Sequence, residues 1–319
     1  MTELHDISEL SRLTGPVALA IGVFDGVHPG HQKVIRAAQD FAAKQGGTAV
    51  VMTFDPHPLR VLRPDVAPRL LCSTRHKLRI LEQCGVDCVF VARFDESTAE
   101  TSAADFVGAL ATSCKPLGFI SVGYTWTFGK NREGNIHKLM DLGESLGFGV
   151  YGVSAVQVSG EVVSSTLIRE AVRAGDLSRA RRFLGRDYSV FGKVVAGNQL
   201  GRQIGFPTAN VAVENEELPP NGVYVVSVQI TGSKLPSIKG VANLGLRPTV
   251  NAGAAERVLE VHLLDFDGDD LYGNEMEVAF IEMLRPEQKF AGLEELKAQI
   301  AKDVLMARRT EVLFTQHPA

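Results

Sequence analysis

The sequence predicts an α/β domain with a parallel sheet covered on both faces, followed by a small antiparallel β barrel that ends in a helix. Three observations predict it. Strand-like and helix-like segments alternate over the first half of the chain, the pattern of βαβ units. Beyond residue 186 short strand-like runs follow one another through turns with no helical pattern between them. At 319 residues the chain exceeds one typical domain, so the expected division is 1–186 and 187–319.

The elements follow in order. An apolar run over residues 17–23 reads as a buried strand and ends in a loop with three glycines. Val34, Ile35, Ala38, Phe41 and Ala42 then recur at helical spacing up to Gly46 and Gly47. Residues 48–54 are a β-branched strand, and the proline-dotted stretch to Pro68 reads as a long loop. A helix over 74–83 stops at Gly85, and a strand follows over 86–92. Ser102 and Asp105 have the form of a capping box before Phe106, Val107 and Leu110. Strands are expected over 119–123 and 150–158, with a helix over 136–146 between them. Ser164 and Ser165 cap a helix that closes at Gly175, and a short arginine-rich helix spans 177–184. In the second half the expected strands are 188–195, 223–230, 238–244, 258–264 and 277–280, and a closing helix covers 293–313.

Composition narrows the function classes. Apolar residues make up 45% and charged residues 22%, and no apolar run approaches the ~20 residues that span a bilayer. The acidic N-terminus lacks a signal-peptide core, so a cytoplasmic address and no membrane partner are expected. A net charge of −4 argues against a nucleic-acid partner. Residues 187–319 hold 12 basic against 18 acidic side chains, so the second half is clearly acidic and the first slightly basic. Four cysteines show no CxxC pair, and Cys84 and Cys88 read as buried thiols and not as zinc ligands.

The densest chemistry lies in Gly22-x-Phe24-Asp25-Gly26-x-His28-x-Gly30-His31. A buried strand that turns through glycines into a helix N-terminus presents free N–H groups and a helix dipole to an anion. Two histidines at spacing three there are phosphate donors, metal ligands, or a pair satisfied within the loop. Ser164, Ser165 and Thr166 at another helix N-terminus, with Arg169 one turn on, add hydroxyls and a guanidinium suited to a triphosphate.

A second group lies in Gly201-Arg202-x-x-Gly205-Phe206-Pro207-Thr208-Ala209-Asn210. Glycines permit close approach of a phosphate, Pro207 stiffens the segment, and Thr208 and Asn210 share a face that can hold a hard cation with its waters. In 258–264, alternation puts Leu259, Val261 and Leu263 on one face and Glu260 and His262 on the other. Glu260 is a base if that face looks into a site, and a solvated carboxylate if it does not.

These motifs resemble a known family. The His28-x-Gly30-His31 loop is similar to that of Rossmann-like nucleotidylyltransferases. Together with 163–169, 53–58 and Phe128-Gly129-x-x-Arg132-x-Gly134, it resembles the bacterial bifunctional riboflavin kinase/FMN adenylyltransferases, the prokaryotic FAD synthetases. The resemblance covers nearly the whole chain. It implies riboflavin phosphorylated to FMN, then FMN adenylylated to FAD, with Mg²⁺-bound ATP as co-substrate in each step.

In the first half the resemblance implies that His28 and His31 act at the α-phosphate of ATP, that Gly22, Phe24, Gly30, Ser164, Ser165, Thr166 and Arg169 bind ATP, and that Asp55, His57 and Thr125 seat the flavin. In the second it implies Glu260 as general base, Gly201, Gly205, Pro207, Thr208 and Asn210 on ATP, Thr208 and Asn210 on the metal, and Arg285 on the flavin. Thr125 and Trp126 stand where the family has Asp or Asn followed by Phe, and Val250 where it often has Phe. Thr125 offers one donor and acceptor in place of a carboxylate or an amide. A monomer or weak homo-oligomer is the expected assembly. Two other classes fit parts of the pattern: a nucleotidylyltransferase with a regulatory β domain, and a flavin-binding sensor.

Overall fold

The computed structural model describes residues 1–197, 200–233, 235–247, 256–268 and 271–311. Pro248, Thr249 and Val250, and the expected end of the last helix at Leu313, lie outside them. The chain divides into two compact units: 1–69 with 74–165, and 70–73 with 166–319.

In the first unit, strands β1 (Thr2–Leu4), β2 (Val17–Ile21), β3 (Thr48–Asp55), β4 (Cys88–Arg93), β5 (Leu117–Gly123) and β6 (Gly149–Val153) form one sheet in the order β1-β4-β3-β2-β5-β6. All five pairings are parallel. All five residues of β2 are buried, as a continuous apolar run at the centre of a doubly covered sheet must be. The chain runs outward from β2 to β3 on one side and later to β5 on the other. That makes the end of β2 a topological switch point, where open α/β sheets leave a crevice for ligands.

Helices α1 (Pro29–Gln45), α2 (Pro58–Leu62), α3 (Thr74–Gln83), α4 (Glu96–Ala99), α5 (Ala103–Ser113) and α6 (Ile136–Leu146) connect the strands. The expected stop at Gly46 holds, with that residue capping α1 in the left-handed conformation, and Gly147 caps α6 in the same way. Ser102 caps α5 by accepting from the Asp105 N–H at 3.1 Å.

Three expectations change. The N-terminal residues add an edge strand, β1, pinned to β4. The proline-dotted loop contains α2, because Pro58 occupies the first helical position, where a missing N–H costs nothing. The single strand expected over 150–158 breaks into β6 and a separate hairpin, β7 (Gln157–Val158) with β8 (Glu161–Val162).

Helices α7 (Ser165–Ala174) and α8 (Leu177–Leu184) follow. In the second unit β9 (Tyr188–Val195), β10 (Ala209–Val213), β11 (Gly222–Ile230), β12 (Ile238–Arg247), β13 (Glu256–Leu263) and β14 (Glu275–Pro286) close an antiparallel barrel in the order β10-β13-β12-β11-β14-β9. Strand β10 and the single-turn helix α9 (Leu200–Gln203) are additions to the expected set.

Helix α10 (Leu293–Arg309) packs Val304 and Ala307 against Val223, Val225 and Val241 on the outer wall of the barrel. It is pinned by Asp303, which is 3% exposed and accepts from Arg285 Nε and Nη2 at 3.1 and 2.8 Å. Among the described residues no helix is long and apolar enough to cross a membrane.

Two candidate active sites

The first site is built on the loop between β2 and α1. Phe24 (φ 53°) and Val27 (φ 42°) both lie in the left-handed region, uncommon for non-glycine residues and an outlier for a β-branched one. Each such residue costs about 1–3 kcal/mol and persists only where its surroundings hold it. Here burial holds them, since Phe24 is 1% exposed and Val27 0%.

The strained loop delivers His28 to the N-cap of α1. The His31 N–H donates to Nδ1 of His28 at 3.4 Å, which leaves the ring proton of His28 on Nε2 as a donor. The two imidazoles stack with centroids 3.6 Å apart, and the Phe24 ring meets His31 edge-on at 5.4 Å. A Cβ on residue 30 would stand 3.0 Å from the His28 ring, so Gly30 is what lets that ring lie over the helix start. The stacked pair sits at the first turn of α1, where backbone N–H groups and the helix dipole favour an anion. Phe24, expected among the ATP contacts, is buried and reaches the site through the His31 ring. Gly22 continues β2 by donating to Met52 O at 3.1 Å.

The start of α7 is tied to this loop: Ser165 Oγ donates to Asp25 O at 2.9 Å. Ser164 precedes it, and Thr166 and Arg169 lie within the first turns of the same helix. The division between compact units falls between Ser165 and Thr166.

One residue with no sequence signal belongs here. Lys77 on α3 is 5% exposed, and its Nζ donates to Val23 O at 3.1 Å and to Thr53 Oγ1 at 2.9 Å. Thr53 Oγ1 in turn donates to Val23 O at 3.0 Å, so a buried ammonium braces the ends of β2 and β3 where the loop leaves the sheet.

A cavity of about 870 Å³ opens in the same unit, lined by Phe54, Phe94, Phe106, Thr125, Trp126 and Phe128 among others. Trp126 stacks on Phe128 at 4.5 Å, and Phe54 meets Phe94 edge-on at 5.9 Å. Flat aromatic walls of this kind suit a fused heteroaromatic ring. Thr125 is exposed on the wall of this cavity. Asp55 ends β3, and His57 caps α2 by accepting from the Leu59 N–H at 3.1 Å; their neighbours Pro58 and Leu59 line the cavity instead.

The second site lies on the outside of the barrel. Leu259, Val261 and Leu263 are buried, so Glu260 and His262 point away from the lumen, into a cavity of about 310 Å³. The register places Asn210 opposite Glu260 on β10, Asn243 opposite Glu260 on β12, and Val223 opposite both Asn243 and Arg285. One row across five strands therefore carries Asn210, Glu260, Asn243, Val223 and Arg285.

Asn243 is absent from the sequence-based set. It lines the cavity, and no hydrogen bond engages its amide among the described residues. Asn210 is 6% exposed, and its buried Oδ1 has no hydrogen-bond partner among the described residues. Its amide packs so close to Gly197 that a side chain there would collide with it. An orphaned carboxamide oxygen, with the Thr208 hydroxyl two residues before it, fits a hard cation.

The segment before Thr208 is a tight turn. Gly205 has φ 90°, and the Phe206 N–H donates to Gly201 O at 2.8 Å. Pro207 follows, and its carbonyl meets Nδ1 of His262 at 2.8 Å. Arg285 forms part of the cavity wall with its guanidinium engaged by Asp303 and lying over the Phe290 ring at 5.7 Å.

Burial pushes the Cys88 thiol up to about 11 and that of Cys114 to about 12, away from the reactive thiolate form.

Comparison with known proteins follows the same division. The FAD synthetase family model matches residues 11–167 and the riboflavin kinase family model residues 184–311. The chain is 43% identical to the bifunctional riboflavin kinase/FMN adenylyltransferase of Escherichia coli (strain K12), over 96% of this chain and 95% of that one. It is 38% identical to that of Haemophilus influenzae, over 97% and 98%. Among solved structures it is similar to a Streptococcus pneumoniae protein described as a macrolide-efflux protein, with TM-score 0.80 and 27% identity over 98% of this chain and all of that one.

Proposed function

The chain belongs to the bifunctional riboflavin kinase/FMN adenylyltransferase family, which makes FMN from riboflavin and then FAD from FMN with ATP, and we propose how its residues divide that work. The row that sets Glu260 between Asn210 and Asn243 carries the reading.

Phosphorylating riboflavin asks a neutral primary hydroxyl to attack the γ-phosphate of ATP, so a positioned base helps. Glu260 takes the hydroxyl proton from within the 310 Å³ cavity. Asn210, opposite the base on the neighbouring strand, and Thr208 just before that strand would hold Mg²⁺ and the ATP phosphates. The metal, when bound, offsets charge on the phosphates. Arg285 shapes the flavin side of the cavity while holding Asp303.

Adenylylating FMN uses a phosphate that is already a nucleophile, so that half needs in-line positioning and charge stabilisation rather than a base. Nε2–H of His28 and the His31 ring donate to the α-phosphate at the switch point. Ser164, Ser165, Thr166 and Arg169 hold the leaving pyrophosphate at the start of α7, and the 870 Å³ aromatic cavity takes the flavin ring of FMN. Four free cysteines suit a reducing cytoplasm, with the chain working as a monomer or weak homo-oligomer.

Product analysis tests the division. Starting from riboflavin, Glu260→Gln abolishes FMN formation and leaves FAD formation from added FMN intact. His31→Ala stops FAD formation and lets FMN accumulate. Loss of both activities in either variant would refute it.

A further inference from the structure

We infer that His262 is a positioning residue of the kinase site, which locks the Pro207–Thr208 backbone in place by a hydrogen bond from its Nδ1. The inference deepens the reading above, since it rests on Thr208 and Asn210 as the ATP and metal segment.

Strands β10 and β13 pair at Asn210↔Glu260 and Ala209↔Val261, and there the backbone ladder stops. The next residues along, Thr208 and His262, fall outside it. At that point the side chain of His262 takes over: its Nδ1 lies 2.8 Å from Pro207 O. A carbonyl oxygen can only accept, so Nδ1 carries the proton and donates. The Phe206 ring stands edge-on to the imidazole at 5.6 Å, a second contact between His262 and the same segment.

The clamp is needed because the residues before β10 are poorly held by backbone pairing. They turn at Gly205, include a proline with no N–H, and bond back mainly through Phe206 to Gly201. Thr208 and Asn210 must nevertheless keep a fixed spacing from Glu260, since in-line phosphoryl transfer depends on alignment of base, hydroxyl and phosphate. His262 sits two residues from Glu260 on the same face of one strand. The strand that carries the base thus also holds the segment that carries the nucleotide. Both the neutral Nδ1–H form and the imidazolium donate from Nδ1, so the clamp is closed in either protonation state.

The test uses the full chain and separates the clamp from what the loop binds. His262→Leu keeps the bulk and removes the donor; His262→Asn places an amide N–H where Nδ1–H was. With riboflavin and Mg²⁺-ATP varied independently, His262→Leu is expected to raise KM for Mg²⁺-ATP about tenfold, the effect of a hydrogen bond of about 1.4 kcal/mol. The KM for riboflavin and the rate of FAD formation from FMN stay within twofold. His262→Asn restores most of the loss.

Equal rises in both KM values, a fall in kcat alone, or an Asn variant as impaired as the Leu variant would overturn the inference. The ring itself gives a reading independent of kinetics. In ¹⁵N spectra of the wild type at neutral pH, His262 is expected in the Nδ1–H form, and the Nε2–H tautomer would sink the clamp whatever the loop binds. If Thr208→Ala leaves KM for Mg²⁺-ATP unchanged while the Nδ1–H form is present, the assignment of the loop to ATP has failed and the clamp has not.

Discussion

Asn243 stands directly opposite Glu260 on the neighbouring antiparallel strand, with both side chains on the outer wall of the barrel and both lining one cavity. Side chains so paired have Cβ atoms about 4.5–5.5 Å apart. A carboxamide that donates and accepts, beside the carboxylate proposed as the base, is suited to hold one hydroxyl of a polyol chain while that carboxylate takes the proton of the next. Asn243→Ala is therefore expected to lower kcat/KM for riboflavin by about tenfold, the effect of losing one hydrogen bond of about 1.4 kcal/mol. FAD formation from FMN serves as the internal control. An unchanged kcat/KM would remove Asn243 from the site.

The sequence carried much of this, and the exceptions have physical reasons. Strands 17–21, 48–55 and 117–123 were legible because a sheet covered on both faces needs continuous apolar runs. The edge strand β1 was not, since only Leu4 of its three residues is buried and no run of three has a period. Strand β10 was hidden by Asn210, a polar residue buried in a strand. The motif around His28 was legible as chemistry, but the part of Phe24 was not. Its left-handed φ, its burial and its edge-on contact with His31 emerge only from the folded loop. Asn243 could not be found at all from one chain read in order, because cross-strand register is a property of the closed barrel.

Gly30 gives a prediction at the first site. A methyl group there would approach the His28 ring to 3.0 Å at Cε1 and 3.1 Å at Nδ1, closer than carbon contacts normally allow. The ring must then give by a few tenths of an ångström, which disturbs its stacking on His31. Gly30→Ala is expected to slow FAD formation about tenfold or more, a barrier rise of about 1.4 kcal/mol. Riboflavin phosphorylation by the same preparation is unaffected. Alanine favours the helix interior relative to glycine, so thermal unfolding of the variant should not fall by more than a degree or two. A variant with normal FAD formation would show that the His28 ring position does not matter.

Lys77 makes the opposite kind of claim, one of support. Its ammonium is buried among Val23 O, Thr53 Oγ1 and the strand ends beneath the loop. Lys77→Met keeps the stem and removes the charge-assisted hydrogen bonds to Val23 O and Thr53 Oγ1, at a cost of about 2–3 kcal/mol. Thermal unfolding should begin earlier in the first unit, and FAD formation should fail at a lower temperature than FMN formation. If the two activities are lost together on heating, the brace is not local to the first unit.

The pair Arg285–Asp303 decides whether α10 stays on the barrel. Asp303 is 3% exposed and receives Nε and Nη2 of Arg285, with Gln299 Nε2 donating at 2.9 Å to the same carboxylate. Asp303→Asn leaves a half-buried guanidinium facing a neutral amide, and breaking a buried pair costs about 3–5 kcal/mol. Arg285 is 17% exposed on its side chain, which lets water reach it and places the expected loss at the lower end, about 3 kcal/mol. Because α10 and Arg285 both wall the kinase cavity, that loss should appear as a raised KM for riboflavin before it appears as a lowered kcat. The effect should also be one-sided. Removing the arginine as well, in Arg285→Met with Asp303→Leu, abolishes both buried charges and is expected to recover most of the stability. It leaves the KM defect, since the guanidinium that lies over Phe290 is gone. Denaturant titration of the single and double variants, with riboflavin saturation curves for each, separates the two consequences. A double variant as unstable as Asp303→Asn would mean that the pair adds stability beyond relief of burial.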